Sequence, residues 1–157
     1  MEGENRKIKV SLTEDQPVDE GVRGSLQNFI AGLAVPQKVE LAAKGNKEVR
    51  QILSRDPNKM VARAVMFSPR LSESDVVSYA DSALTNDEVL RVIAENREYM
   101  NHHNVLWSVI SNPRTPVSAA IRFLLRLNVN ELNLISRNRS ISSLVRREAK
   151  RLAIRRR

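Results

Sequence analysis

The sequence predicts an all-α domain built from repeated helical units, and three observations support this. Residues 61–70, VARAVMFSPR, recur as VLWSVISNPR at residues 105–114, a shift of 44 residues. VIAENR at 92–97 recurs as LISRNR at 134–139, a shift of 42. Self-similarity at such a period is typical of stacked helical repeats. The composition agrees, because a chain of 157 residues with five glycines and few aromatics is better suited to helices than to a sheet.

Composition excludes several classes of site. The chain has no cysteine, which excludes disulfides, thiolate zinc sites, iron-sulfur clusters and cysteine nucleophiles. No apolar stretch approaches the roughly 18 residues that a membrane-spanning helix requires. The N-terminus, MEGENRKIKV, is charged and lacks the apolar core of a secretory signal. We therefore expect one cytoplasmic domain without a membrane span.

The net charge of +8 comes from one end of the chain. Residues 137–157 contain nine Lys or Arg and one Glu, whereas residues 1–136 contain seventeen residues of each sign. A basic end is weaker evidence for nucleic-acid binding than a basic domain is. It can also serve solubility, an acidic protein partner or lipid headgroups.

Two regions precede the repeats. Residues 1–24 mix both signs of charge with a proline and three glycines, and we expect a flexible lead-in there. The helical-repeat domain is expected over residues 25–157 and begins with two capping helices at 25–45. Ser25 is the predicted N-cap of the first of these helices, and Gly45 ends the second.

The following helices are separated by short turns that contain proline or a capping side chain. We expect helices at residues 46–55, 59–67, 73–83, 87–95, 99–111 and 116–126, one ending at Asn138, and a basic C-terminal helix within 140–157. The predicted N-caps are Asn58, Ser72 or Ser74, Asn86, Thr115, Asn128 or Asn130, and Ser140 or Ser142. Such short connections favour packing between helices adjacent in sequence.

The units align through two recurring helices. One ends at matching polar residues with steps of 40 and 42, namely Asp56, Asn96 and Asn138. The next carries matching valines with steps of 44 and 40, namely Val61, Val105 and Val145. About two and a half units fit, which is close to the minimum for a stable stack. A four-helix bundle with extra helices is the structural alternative.

At these residues the chain resembles the α-solenoid families, in particular HEAT/armadillo-like repeats and the leucine-rich repeat variant. VARAVMFSPRLSESDVVSYA and VLWSVISNPRTPVSAAIRFLL resemble the variant's apolar helix, proline turn and second apolar helix. The similarity covers roughly residues 46–155. A spacing of 40 to 44 residues is closer to a HEAT unit, and the cysteine cluster of some variant proteins is missing. The resemblance implies a curved, right-handed α-solenoid that binds macromolecules, without conserved chemistry.

Polar side chains occupy matching places at the helix ends. A short side chain there can bond the backbone groups that a helix terminus leaves without partners, and stacked copies can form a ladder of hydrogen bonds. The residues concerned are Asp56, Ser68, Asn96, Asn112 and Asn138.

Arginines recur in or beside the same turns. Stacking would bring some of them onto one ridge that meets phosphates or acidic side chains, whereas the alternative is that they cap helix C-termini. The set is Arg55, Arg63, Arg70, Arg97, Arg114, Arg137 and Arg139. Arg70 and Arg114, which are equivalent in the two decapeptides, are the main candidates for partner binding, together with Arg97 and Arg139.

Aromatic residues give a second set of candidates. Trp107 lies off the apolar stripe of its helix and, with Tyr99, is a candidate anchor for a partner. The alternative is burial of Trp107 against the next repeat. Met60, Met66 and Phe67 are predicted to be core.

No catalytic or metal-binding pattern is present. His102 and His103 are adjacent, so on a helix their side chains diverge by about 100 degrees and do not chelate one ion. Acidic pairs lie at helix starts, where the helix dipole explains them. The sequence contains no phosphate-binding loop and no nucleophile elbow. We therefore expect no enzyme activity, no cofactor and no metal.

The C-terminal helix is amphipathic and basic. Its apolar face is expected to contain Leu144, Val145, Ala149, Leu152 and Ala153. Its opposite face is a candidate site for nucleic acid, an anionic membrane or an acidic partner, although a terminal helix needs a polar outer face in any case. The candidate residues are Arg146, Arg147, Lys150, Arg151, Arg155, Arg156 and Arg157.

Three functional hypotheses follow. The favoured one is a non-enzymatic scaffold that binds a protein through a repeat face. The second is a nucleic-acid-binding α-solenoid that uses the basic C-terminal helix and the turn arginines. The third is a helical-repeat enzyme resembling base-excision glycosylases, which requires a buried carboxylate beside aromatics in a basic cleft. The sequence indicates neither the partner nor an oligomeric state.

Overall fold

The structure is a computed structural model that describes residues 11–157, so the first ten residues of the predicted lead-in lie outside it. This part of the chain contains eleven α-helices, one 3₁₀ turn and no β-strand. The α-helices are α1 (Glu20–Ala31), α2 (Val35–Lys44), α3 (Lys47–Leu53), α4 (Lys59–Val65), α5 (Glu73–Asp81), α6 (Asp87–Glu95), α7 (Arg97–Asn101), α8 (His103–Ser111), α9 (Val117–Phe123), α10 (Val129–Arg137) and α11 (Ser143–Arg155), and the 3₁₀ turn is Leu124–Arg126. The all-α prediction is confirmed. Among the described residues, none of these helices is both long and apolar enough to span a membrane.

The helices pack against helices near them in sequence. α2 packs on α4, α5 on α8, and α9 on α11, while α10 and α11 form an extensively packed hairpin. One continuous apolar cluster runs along the molecule from Leu26 in α1 to Ala153 in α11. Each of the helices α1 to α11 contributes at least one buried residue to this cluster.

Several predicted caps are confirmed. Asn58 and Asn86 cap α4 and α6 with their side-chain oxygens. Of the open alternatives, Ser72 rather than Ser74 caps α5, Asn128 caps α10 and Ser142 caps α11. In each case the side chain accepts a hydrogen bond from a backbone N–H group that has no partner inside the helix.

Two predicted caps are wrong. The first helix begins at Glu20 rather than at Ser25, because Asp19 accepts a hydrogen bond from Val22 N at 2.8 Å and caps it earlier. The predicted cap Thr115 instead donates its hydroxyl to the carbonyl of Val109, and α9 starts without a side-chain cap.

The helix predicted at 99–111 is interrupted. Asn96 caps the short helix α7, and His102 lies in extended conformation between α7 and α8. This break explains why the step from Asp56 to Asn96 is 40 residues whereas the step from Val61 to Val105 is 44. Val105 lies nine residues beyond Asn96, whereas Val61 lies five residues beyond Asp56. The four additional residues of the second unit are accommodated by α7.

Equivalent residues have equivalent contacts. The backbone N–H groups of Asp56, Asn96 and Asn138 each donate to the carbonyl three residues earlier, at 3.1 Å. The turns of the two decapeptides also match, because Ser68 and Asn112 each accept a hydrogen bond from the backbone N–H of the arginine two residues later. The aligned valines are all buried, namely Val61, Val105 and Val145.

The described part of the lead-in lies along the start of α3. The Asn46 side-chain amide donates to the carbonyls of Ser11 and Glu14, at 2.9 Å each. Asn86 does the same one unit later, donating to the carbonyl of Asp56 at 2.8 Å. Residues 11–14 therefore occupy, at the first unit, the position that residues 54–56, directly after α3, occupy at the second.

Candidate interaction surfaces

Two large apolar side chains lie in solvent, one on α4 and one in the turn that follows it. Met60 is 70% exposed and Phe67 is 67% exposed, so the prediction that both are core is wrong, whereas Met66 is buried as predicted. The guanidinium carbon of Arg63 lies 5.8 Å from the centroid of the Phe67 ring, within range of a cation–π contact. Arg63 also pairs with Glu88 of α6 at 3.2 Å. Met60, Arg63 and Phe67, named here the α4 face, combine an aromatic, a methionine and an arginine, residue types enriched at protein interfaces.

The two aromatic candidates are only partly accessible. Tyr99 in α7 and Trp107 in α8 are half-buried and pack against the core cluster. Trp107 is therefore used partly in packing, and only the accessible part of its side chain remains for contact with a partner.

Arg70 bonds within the chain. Its guanidinium donates to the carbonyl of Thr13 and to that of Lys44, the latter at 3.2 Å, and lies 3.5 Å from the carboxylate of Asp15. It thus satisfies the C-terminus of α2 and holds the lead-in against it.

The other turn arginines differ from Arg70. Arg114, the equivalent residue in the second decapeptide, is exposed, and its guanidinium has no ion pair or hydrogen bond with residues 11–157. Arg97 and Arg139 are also exposed and form no ion pair within that range. These three remain candidates for a partner, whereas most of the donors of Arg70 are already occupied.

The cations of α11 fall into two groups. Arg156 donates to the carbonyls of Leu127 and Leu125, at 2.6 and 2.7 Å, and so ties the helix end to the 3₁₀ turn. Arg151 bonds Glu148, whose pKa is lowered by that hydrogen bond. The other candidates form no ion pair inside the described range, namely Arg146, Arg147, Lys150, Arg155 and Arg157. Leu144, predicted on the apolar face, is half exposed instead.

A cleft of about 620 Å³ lies between the lead-in, α1 and α3. Its lining has both signs of charge, including Asp15, Lys47 and the ion pair between Arg23 and Glu48 at 2.6 Å. Since opposite charges already meet within it, the cleft has little net attraction for a charged ligand.

A buried ion pair joins α3 to α5. Arg50 and Asp75 are both nearly inaccessible, and their side chains meet at 2.8 Å. Burial raises the pKa of Asp75, but hydrogen bonds from the Ser72 N–H and from Arg50 outweigh burial and hold that pKa below its usual range. No local sequence pattern indicates this pair, because its two residues are 25 positions apart.

The side chains of the adjacent residues His102 and His103 have different partners, as expected if they diverge. His102 is 3.2 Å from Glu73, and His103 contacts Glu131. Within residues 11–157, no three of His, Asp and Glu are grouped to hold a metal ion.

Comparison with known proteins adds no family. No protein-family model matches the chain, and no curated protein or solved structure is significantly similar to it.

Proposed function

We propose that the chain is a non-enzymatic helical-repeat scaffold, arranged as an α-solenoid of the HEAT/armadillo or leucine-rich repeat variant kind, that binds a partner protein. The serial packing of helices and the matching turns of the two decapeptides support this architecture.

The observation that favours a protein partner is the α4 face. Burying Met60 and Phe67 in the folded chain would have been favourable, yet both lie in solvent. Met60 precedes Arg63 by three residues on α4, and Phe67 lies in the turn after α4 with its ring beneath the Arg63 guanidinium. A partner that covers them removes apolar area from water and desolvates an arginine already held over an aromatic ring.

Affinity capture with quantitative mass spectrometry tests this proposal. The native protein is compared with a Met60→Ser, Phe67→Ser variant and with a Phe29→Ser control, since Phe29 is another exposed aromatic, 55% accessible, on α1. We expect one or more proteins to be retained by the native protein and by the control, and lost by the double variant. Retention of the same proteins by the double variant, or no specific retention at all, would contradict the proposal.

The second candidate function is nucleic-acid binding, and the unpaired cations of α10 and α11 favour it. Residues 137–157 contain a single carboxylate, Glu148, and it is paired with Arg151. Fluorescence anisotropy with labelled oligonucleotides over a salt series is the test. Binding should weaken steeply with salt, because cations release counterions from phosphates. No binding at low salt would exclude this function.

A further inference from the structure

A cleft of about 350 Å³ lies between α10 and α11. α10 contributes Asn133, Ser136 and Arg137, α11 contributes Lys150 and Ile154, and Arg157 follows the end of α11. Spacings of three and four residues place Asn133 beside Ser136 and Arg137 on α10, and Lys150 beside Ile154 on α11. The cleft therefore follows directly from how this helical hairpin is packed.

The side chains that line the cleft carry only positive charge. It has three cations, two neutral polar side chains and one aliphatic side chain, and none of its residues is acidic. The side chains of Arg137, Lys150 and Arg157 form no ion pair or hydrogen bond to any residue from 11 onward. The amide of Asn133 is likewise without a hydrogen-bond partner there, while Ser136 donates to the carbonyl of Asn133 at 2.7 Å and keeps its lone pairs.

Two largely buried cations elsewhere in the molecule are paired with carboxylates. Arg50 pairs with Asp75, and Lys38 pairs with Asp56, each at 2.8 Å. In the cleft, three like charges converge without a counter-charge, and an oxyanion would relieve their repulsion while accepting hydrogen bonds from them.

We propose that this cleft is a phosphate-binding site and that it holds a phosphate of a nucleic-acid strand. The phosphate oxygens accept from Arg137, Lys150 and Arg157, and the amide of Asn133 supplies a neutral donor. Naming nucleic acid as the source of the phosphate rests on the second candidate function, whereas the position of the site rests on the cleft alone.

A strand suits this surface better than a lipid bilayer does. Exposed cations continue beyond the cleft along α11, at Arg147 and Arg155, as an extended polyanion requires. The exposed aliphatic residues of α11, Leu144 and Ile154, are separated by Arg147, Lys150 and Arg151. They do not form the continuous apolar face that an interfacial membrane helix inserts among lipids.

The test compares two triple variants that remove the same charge. The cleft variant is Arg137→Gln, Lys150→Gln, Arg157→Gln, and the matched control is Arg139→Gln, Arg147→Gln, Arg155→Gln, from the same hairpin but outside the cleft. All six side chains are exposed, so both variants should fold, which circular dichroism verifies. Affinity for a labelled 20-nucleotide single strand is measured by anisotropy near physiological salt, in parallel with sedimentation on anionic phosphatidylserine vesicles.

We expect the cleft variant to lose about tenfold more affinity for the oligonucleotide than the control does. Equal losses would overturn the cleft as the site and leave a diffuse basic surface as the nucleic-acid-binding function. No oligonucleotide binding by the native protein would overturn both. Binding to vesicles without binding to the oligonucleotide would assign the cleft to lipid headgroups and overturn the proposal as stated.

Discussion

Single buried residues hold the units together, and the Arg50–Asp75 ion pair is the clearest case. Replacing Asp75 by Asn keeps a hydrogen-bond acceptor for Ser72 but leaves the charge of Arg50 buried without a partner. We expect the Asp75→Asn variant to lose about 3–5 kcal/mol of unfolding free energy, measured by urea denaturation near pH 7. Asp87→Asn is the control, because Asp87 and Lys59 form an exposed pair at 3.7 Å worth about 0–1 kcal/mol. Similar losses in the two variants would contradict the structural role of the buried pair.

The same pair predicts a pH dependence. Because the pKa of Asp75 is lower in the folded protein than in the unfolded chain, its contribution is present above the ordinary carboxylate pKa near 4 and is lost as the pH falls through the lowered value. The stability difference between the native protein and Asp75→Asn should therefore shrink in acid. Urea titrations at pH 7 and about pH 3 measure this, and a constant difference would show that the charge of Asp75 is not what stabilises.

Replacement by alanine is expected to have opposite effects on stability at Gly45 and at Gly24. A Cβ on Gly45 would lie 2.5 Å from Cγ1 of Val49 and 2.6 Å from the carbonyl oxygen of Leu41, whereas a Cβ on Gly24 has no neighbour within 4 Å. Gly45→Ala should lower the melting temperature because the backbone must move. Gly24→Ala should add about 0.5–1 kcal/mol, since alanine favours the interior of α1. Thermal unfolding measures both, and a neutral Gly45→Ala would contradict the close packing at that site.

Sequence patterns predicted the burial of some residues correctly and that of others incorrectly. The aligned valines were correctly placed in the core because each lies within a periodic helix. Phe67 was misplaced because α4 ends at Val65, so helical periodicity no longer fixes the direction of its side chain. The cleft between α10 and α11 was also missed, because its lining comes from two helices whose relative rotation depends on packing.

Two asparagine side chains connect consecutive helical units. Asn46 and Asn86 each cap a helix and also donate to a carbonyl of the preceding segment, whereas Asn128 caps α10 without such a bond within the described chain. The alanine variants of the first two should lose about 2–3 kcal/mol each, and Asn128→Ala about 1 kcal/mol. Equal losses in urea denaturation would show that only the cap matters.

Helix order was predictable from caps and prolines, but the break between α7 and α8 and the packing of the lead-in were not. The break at His102 has neither proline nor glycine, and it follows from the four additional residues between Asn96 and Val105. The order of residues 11–15 on α3 depends on Asn46 and Arg70, which lie far away in sequence. Contacts between residues that are distant in sequence produce no local sequence pattern from which they could be predicted.

Across the described chain, the helices pack mainly against helices that are near them in sequence. Substantial helix contacts join helices close in sequence, and no such contact joins α2, α3 or α4 to α9, α10 or α11. In a linear stack, a defect in one unit opens that unit and its neighbours, whereas in a bundle around one core it weakens every helix together. The repeated sequence pattern suggested this arrangement, but it also allowed a four-helix bundle with extra helices.

Native-state hydrogen exchange of two matched core variants tests serial packing most directly. Val61→Ala in α4 and Val145→Ala in α11 remove the same two methyl groups at equivalent buried positions, each at a cost of about 2 kcal/mol. We expect Val61→Ala to reduce amide protection in α2 to α6 and leave α10 and α11 unchanged, and Val145→Ala to show the reverse pattern. Uniform loss of protection in both variants would contradict a helical-repeat stack and favour a single cooperative bundle.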